Sequence, residues 1–298
     1  MGQKKKLWIT TRSPATGNKE RWLVKYVRGP APGQGSSSSC ARGEDWAEGL
    51  AHFVTRQLGL PSPCVCLAVD PEGARASLIK DFCKPGQQLI HGSELLVASV
   101  QGYEVETPKR ENPVYTVNNI MRVLETCSPT EGSGFTTAPG QFAGYLVFDA
   151  LVAGRDRHHH NWGVLQDAGA QNPPALAPTY DHNNAFGCDI PPHKLTNYVG
   201  HPSRLANWAR KGKSHHHAGQ PSLVDIAAAA LKYCCEQPLT GYRDDLDLVL
   251  RKLEDLDVQA VQRVAGRIPE HVLPREHVEF IGLLLEENRG RVRDAIRT

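Results

Sequence analysis

Asp156, Asn161 and Asp181 are the residues of this chain whose types and spacing best suit chemistry. The first two lie in Gly154-Arg155-Asp156-Arg157-His158-His159-His160-Asn161-Trp162-Gly163, and the third in Ala177-Pro178-Thr179-Tyr180-Asp181-His182. An Asp can orient or deprotonate a hydroxyl, and an amide oxygen five residues later can ligate a divalent ion. A second Asp from a following strand can bridge that ion to nucleotide phosphates. The set points to phosphoryl transfer. Asp, Asn and His are also common loop residues, so the spacing needs support from its surroundings.

The flanking segments supply that support. In residues 141–153 (QFAGYLVFDALVA), Phe142, Tyr145, Leu146, Phe148, Leu151 and Val152 recur at three- and four-residue steps, which predicts a buried helix. Residues 162–165 read as a short apolar strand. A polar, Pro-containing turn (166–174) separates it from a second strand, 175–179, that leads into Asp181. Helix, loop, hairpin and Asp in that order bring the three side chains to one edge.

With these residues in place the chain resembles the HipA-like kinases, a bacterial branch of the protein-kinase-like fold that includes the toxin halves of toxin–antitoxin pairs. The resemblance rests on Phe148-Asp149-Ala150-Leu151-Val152 leading into Asp156-Arg157-His158 and Asn161, and on Leu176-Ala177-Pro178-Thr179-Tyr180-Asp181. It extends to Val24-Lys25 and to Glu48, upstream of Leu58-Gly59-Leu60-Pro61-Ser62-Pro63, and covers roughly residues 20–190. It implies an α+β, two-lobed fold with a small β-rich N-lobe (1–84) and a mainly helical C-lobe (85–298). It also implies ATP and Mg²⁺ as cofactors, with a protein Ser/Thr hydroxyl as acceptor and an antitoxin-like protein as a possible partner. Asp156 becomes the catalytic base, Asn161 and Asp181 the metal ligands, Lys25 the phosphate-contacting lysine and Glu48 its ion-pair partner. The hinge between lobes falls at residues 80–85, where backbone groups of Asp81, Phe82 and Cys83 would meet the adenine edge.

The chemistry of the paired residues agrees with these roles. Residues 21–27 (RWLVKYV) alternate as a strand and put Lys25 on the face of Leu23 and Val27, where a charge requires an anionic partner. Glu48 opens a helix over 46–58, with Trp46, Leu50, Phe53, Val54 and Leu58 as its apolar stripe and Gly59 as its stop. A snorkelling lysine and a solvated glutamate are the plain alternatives for the two. The strand 75–81 follows a hairpin turn at 70–73. His158, two residues beyond the base, is expected to pack under the loop and hold its backbone, with no chemical step of its own.

One departure from the pattern concerns the phosphates. The turn before the lysine strand, 13–19 (SPATGNK), has a single glycine, whereas the richer stretch 29–43 (GPAPGQGSSSSCARG) follows that strand and suits a linker as well as a lid. Two further readings stay open: a small-molecule kinase of the aminoglycoside-phosphotransferase type, which D-x4-N plus Asp also resembles, and a nucleotide-binding pseudokinase that docks a partner, which the missing glycine loop favours.

Composition limits the remaining classes. A net charge of +2 argues against general nucleic-acid binding, and no apolar run reaches the roughly 18 residues of a membrane helix. The first residues lack the apolar core of a signal peptide, so a cytoplasmic protein is expected. Eight cysteines without paired CxxC spacing read as reduced thiols. Of the two histidine triplets, His215 to His217 has no Cys or carboxylate beside it in a ligand pattern and is given no metal role, and the segment before it, Lys211-Gly212-Lys213-Ser214, reads as an exposed basic loop. Helices are expected at 117–124, 223–233, 242–253, 258–268 and 277–296.

Overall fold

The computed structural model describes residues 5–28, 42–106, 112–169 and 171–297. Most of the glycine- and serine-rich stretch, with Ser36 to Ser39 and Cys40, lies outside the described residues. The chain opens with β1 (Lys6–Arg12) and β2 (Lys19–Tyr26), continues through α1 (Glu44–Gln57), and then forms the hairpin β3 (Val65–Val69) and β4 (Arg75–Lys80). The four strands make one antiparallel sheet in the order β1-β2-β4-β3, whose register sets Lys25 opposite Ser77. Gly73, at φ 85°, closes the β3–β4 turn by donating its N–H to the Asp70 carbonyl (2.9 Å). The helix α1 packs on β3 and β4 through its apolar stripe, with Trp46, Leu50 and Val54 buried, and it ends where Gly59 takes φ 68°.

The second part begins with β5 (Gln87–His91) and α2 (Gly92–Ser99), followed by α3 (Val117–Leu124), α4 (Ala138–Val152), β6 (Gly163–Asp167) and β7 (Ala175–Leu176). These strands form a second antiparallel sheet, β5-β6-β7. The expected strand at 175–179 keeps only its first two residues as β7. The Ala177 N–H still bonds the Gly163 carbonyl in register (2.9 Å), and Pro178, with no N–H to give, ends the ladder there. Six helices complete the chain: α5 (Pro192–Val199), α6 (Pro202–Arg210), α7 (Leu223–Glu236), α8 (Thr240–Glu254), α9 (Val258–Ala265) and α10 (Arg275–Arg297).

Every residue of α4 is buried, which makes it the axis of the main core. It starts earlier than its apolar period predicts because Thr137 caps it, accepting the Gly140 N–H at 3.0 Å, with Pro139 in the first turn. Around it pack α7, α8, α10 and α3. A smaller cluster, Leu195, Leu205, Ala209, Phe280 and Leu284, joins α5 and α6 to α10. No helix of the described residues is long and apolar enough to cross a membrane.

Candidate active site

The buried helix α4 delivers the loop that carries Asp156. Ala153 leaves the helix in the left-handed region (φ 54°), and the Gly154 N–H returns to the Asp149 carbonyl (2.8 Å). Asp149 is the one charged residue of α4, and Arg157 meets its carboxylate with a two-pronged contact, Nε at 2.7 Å and Nη2 at 2.6 Å. The same guanidinium donates through Nη1 to the Asn161 carbonyl (3.0 Å) and to Thr179 Oγ1 (2.9 Å). Burial opposes the Arg157 charge, but the Asp149 carboxylate outweighs it and raises the pKa. One buried ion pair thus ties the helix end, the Asp156 loop and the strand exit together.

Within that frame the candidate residues take fixed places. Asn161 donates Nδ2 to the Asp156 carbonyl (2.7 Å), and its own N–H bonds the His158 carbonyl (2.8 Å). His158 accepts the His160 N–H on Nδ1 (3.1 Å), and its ring lies edge-on to His216 at 5.1 Å. The Asp156 side chain is 42% exposed. Asp156, Asn161 and Asp181 line one cleft together with Tyr180 and His182. Asp181 sits at φ 62°, a conformation that a short polar side chain tolerates better than most. Its carboxylate also receives the Asn183 amide.

Lys25 reaches this cleft from the first sheet. Its Nζ is 2.9 Å from Asp181 Oδ1 and 3.7 Å from Glu48 Oε2, with the lysine 7% and the glutamate 1% exposed. Burial works against the ammonium, and the two carboxylates overcome it and raise its pKa. Glu48 is shared, because its Oε1 accepts the His182 N–H (2.9 Å). His182 Nε2 in turn faces Thr179 Oγ1 (3.0 Å), and burial holds that ring neutral, far below the ordinary histidine range. A continuous polar chain, Asp149–Arg157–Thr179–His182–Glu48–Lys25–Asp181, therefore spans the cleft.

The residues expected at the hinge lie at the end of β4. The Asp81 N–H is used by the Arg21 carbonyl (2.9 Å), and the Asp81 carboxylate accepts the Cys83 N–H (3.1 Å). Phe82 stacks on Tyr180 at 5.4 Å, beside Asp181. Burial raises the Cys83 thiol pKa. The β1–β2 turn closes on itself, Ser13 N–H to the Asn18 carbonyl and Gly17 N–H to the Ser13 carbonyl, both 2.8 Å.

Two groups of this site escape the sequence reading. Arg157 and Asp149 were signalled only by an acidic residue inside an otherwise apolar helix. The second is the histidine segment before α7: Lys211 and Lys213 are exposed as expected of the basic loop, but Ser214 is buried, and so are His216 and His217. His216 Nε2 lies 2.7 Å from Asp156 Oδ1. The segment turns inward because Ser214 N–H bonds the Pro221 carbonyl (3.0 Å) and His215 N–H reaches the Arg155 carbonyl (3.4 Å). Among the described residues no cluster of three His, Cys, Asp or Glu could hold a metal ion by itself.

A family model described as the HipA-like C-terminal domain matches residues 1–237. No curated protein matches the chain in sequence. Among solved structures the chain is similar to the Helicobacter pylori proinflammatory kinase CtkA, with a TM-score of 0.70 and 18% identity, over 100% of this chain and 92% of that one. It is also similar to a chain of the Shewanella oneidensis MR-1 toxin–antitoxin complex of HipA, HipB and operator DNA. There the TM-score is 0.55 and the identity 12%, over 98% of this chain and 66% of that one. At these identities the two likenesses establish the fold.

Proposed function

The chain belongs to the HipA-like C-terminal domain family, and from that premise we propose that it is an ATP- and Mg²⁺-dependent kinase that phosphorylates a protein Ser/Thr hydroxyl. The observation that carries the reading is the Lys25–Asp181 contact of 2.9 Å, made between residues 156 positions apart and backed by Glu48 at 3.7 Å. A lysine held between two carboxylates at the rim of a cleft is pre-set to receive nucleotide phosphates. The hinge near residue 84 then divides an N-lobe from a C-lobe, and backbone groups of the Asp81–Cys83 segment would meet the adenine edge.

The donor set suits a hard cation. Asn161 spends its Nδ2 on the Asp156 carbonyl (2.7 Å), which turns Oδ1 away from that bond, and Asp181 offers a carboxylate in the same cleft. Held by Asn161 and Asp181, Mg²⁺ would supply neutralisation of phosphate charge. Asp156 accepts the proton of the acceptor hydroxyl as the acceptor oxygen bonds the γ-phosphorus. The β–γ bridging bond breaks, and ADP leaves with the electron pair. Catalysis on this reading is positional and electrostatic. An antitoxin-like protein partner belongs to the same proposal.

The test compares wild type with Asp156→Asn in Mg²⁺ and γ-labelled ATP. Label should pass to protein only with wild type, the variant losing turnover by orders of magnitude while still gaining thermal stability from nucleotide. Unchanged turnover in the variant would remove Asp156 from the mechanism, and label in a small molecule would redirect the acceptor. The self-closed β1–β2 turn favours one competing reading, a pseudokinase that binds ATP and docks a partner. Nucleotide stabilisation of both proteins without any transfer would select it.

A further inference from the structure

The segment between α6 and α7 is pinned across the catalytic loop by more than one contact. Lys213 bridges Ser222, His215 N–H reaches the Arg155 carbonyl (3.4 Å), and Ala218 N–H bonds the Tyr115 carbonyl (3.0 Å). Ser214 Oγ accepts the N–H groups of His216 and His217, both at 3.2 Å. His216 is thereby held 5% exposed with Nε2 at 2.7 Å from Asp156 Oδ1, although 60 residues separate the two.

The environment of the ring selects its tautomer. His216 Nδ1 is buried and has no hydrogen-bond partner among the described residues. A proton on Nδ1 would leave a buried donor unmet and would aim the Nε2 lone pair at a carboxylate oxygen. A proton on Nε2 meets the carboxylate and leaves only a bare lone pair inside. The ring therefore donates from Nε2. Resting on the reading of Asp156 as the base, we propose that His216 is the positioning residue of that base. Its N–H anchors Oδ1 and so presents Oδ2 to the acceptor hydroxyl. His216 keeps its proton throughout, and the proton of the acceptor stays on Asp156. Misplacement of about 1 Å in a reacting group can cost about a hundredfold in rate.

The experiment separates donor geometry from folding. In His216→Gln the amide nitrogen is as many bonds from Cα as Nε2 and can still donate, whereas in His216→Asn it is one bond short. Both variants, wild type and Asp156→Asn are assayed as full chains with Mg²⁺ and γ-labelled ATP, following label in casein, in the chain itself and as free phosphate. The expected result is a kcat about ten- to a hundredfold lower for His216→Asn with the KM for ATP unchanged, and His216→Gln within about threefold of wild type. Wild-type kcat in His216→Asn, or an equal loss in both His216 variants, with Asp156→Asn inactive, overturns the proposal while leaving the base assignment in place. Turnover retained by Asp156→Asn, or absent from wild type, removes the base reading and this proposal with it.

Discussion

The two sides of the cleft are held by different means. On the Asp156-loop side, Asp149, Arg157, Thr179 and His182 are buried and joined side chain to side chain, and buried Glu48 joins them by accepting the His182 backbone N–H. On the hinge side the contacts are mainly backbone: Asp81 N–H to Arg21 O, the closed 13–18 turn, and an Arg21–Asp81 pair at 3.4 Å whose arginine is 59% exposed. The contrast teaches where placement has to be rigid. Residues that would act on a reacting bond sit in a low-dielectric network in which each loss leaves a buried polar group unmet. Residues that would meet a nucleotide base rely on sheet register, which tolerates exchange of side chains.

Breaking the buried side should have the largest effect. Arg157→Leu leaves the Asp149 carboxylate buried without its two-pronged donor and should cost about 3–5 kcal/mol of stability, read from denaturant midpoints at constant m. A loss below about 1 kcal/mol would show that the network is not what holds the loop.

Acid should act on the same side. Burial pushes His217 down to about 3 from an ordinary 6.5. The unfolded chain therefore takes up a proton below pH 6.5 that the folded chain refuses until about pH 3. Stability should fall as pH drops through that window, by about 1.4 kcal/mol per pH unit for this group. His182, shifted in the same direction by burial, adds to the slope. His217→Leu should flatten the dependence of unfolding free energy on pH by that one-group amount, and an unchanged slope would place the acid sensitivity elsewhere.

The cleft itself should respond more gently. Asp181→Asn removes one of the two carboxylates on Lys25 and should weaken Mg²⁺-dependent nucleotide binding by about tenfold, about 1.4 kcal/mol. Calorimetry with and without Mg²⁺ checks this, and equal affinities would move the metal from Asp181. The smallest effect belongs to the hinge: Arg21→Ala should change stability by about 1 kcal/mol or less, because an exposed ion pair contributes little. A larger loss would erase the contrast between the two sides.

Much of this arrangement was legible in local pattern. The helix at 117–124 and the tail helices at 223, 242, 258 and 277 follow from apolar periodicity, and each is present within a few residues. The 13–19 turn, with its single glycine, closes on itself through backbone hydrogen bonds. The strand at 175–179 was over-read, since period-two alternation does not register that Pro178 has no N–H to give. The first strand, the strand at 87–91 and the helices at 192–210 carried too little periodicity to be seen.

What the sequence determined by itself is the inventory: an Asp and an Asn five apart after a buried helix, a later Asp, and a lysine on an apolar strand face that demanded a carboxylate. These follow from side-chain chemistry and from periods of two and 3.6 residues, which act over a few neighbours. Only the tertiary structure decided which carboxylates Lys25 meets, that Arg157 turns inward to Asp149, and that a histidine 60 residues away rests on Asp156. The physical reason is that a buried polar group must find its partner wherever packing brings one, and packing joins residues without regard to their distance along the chain.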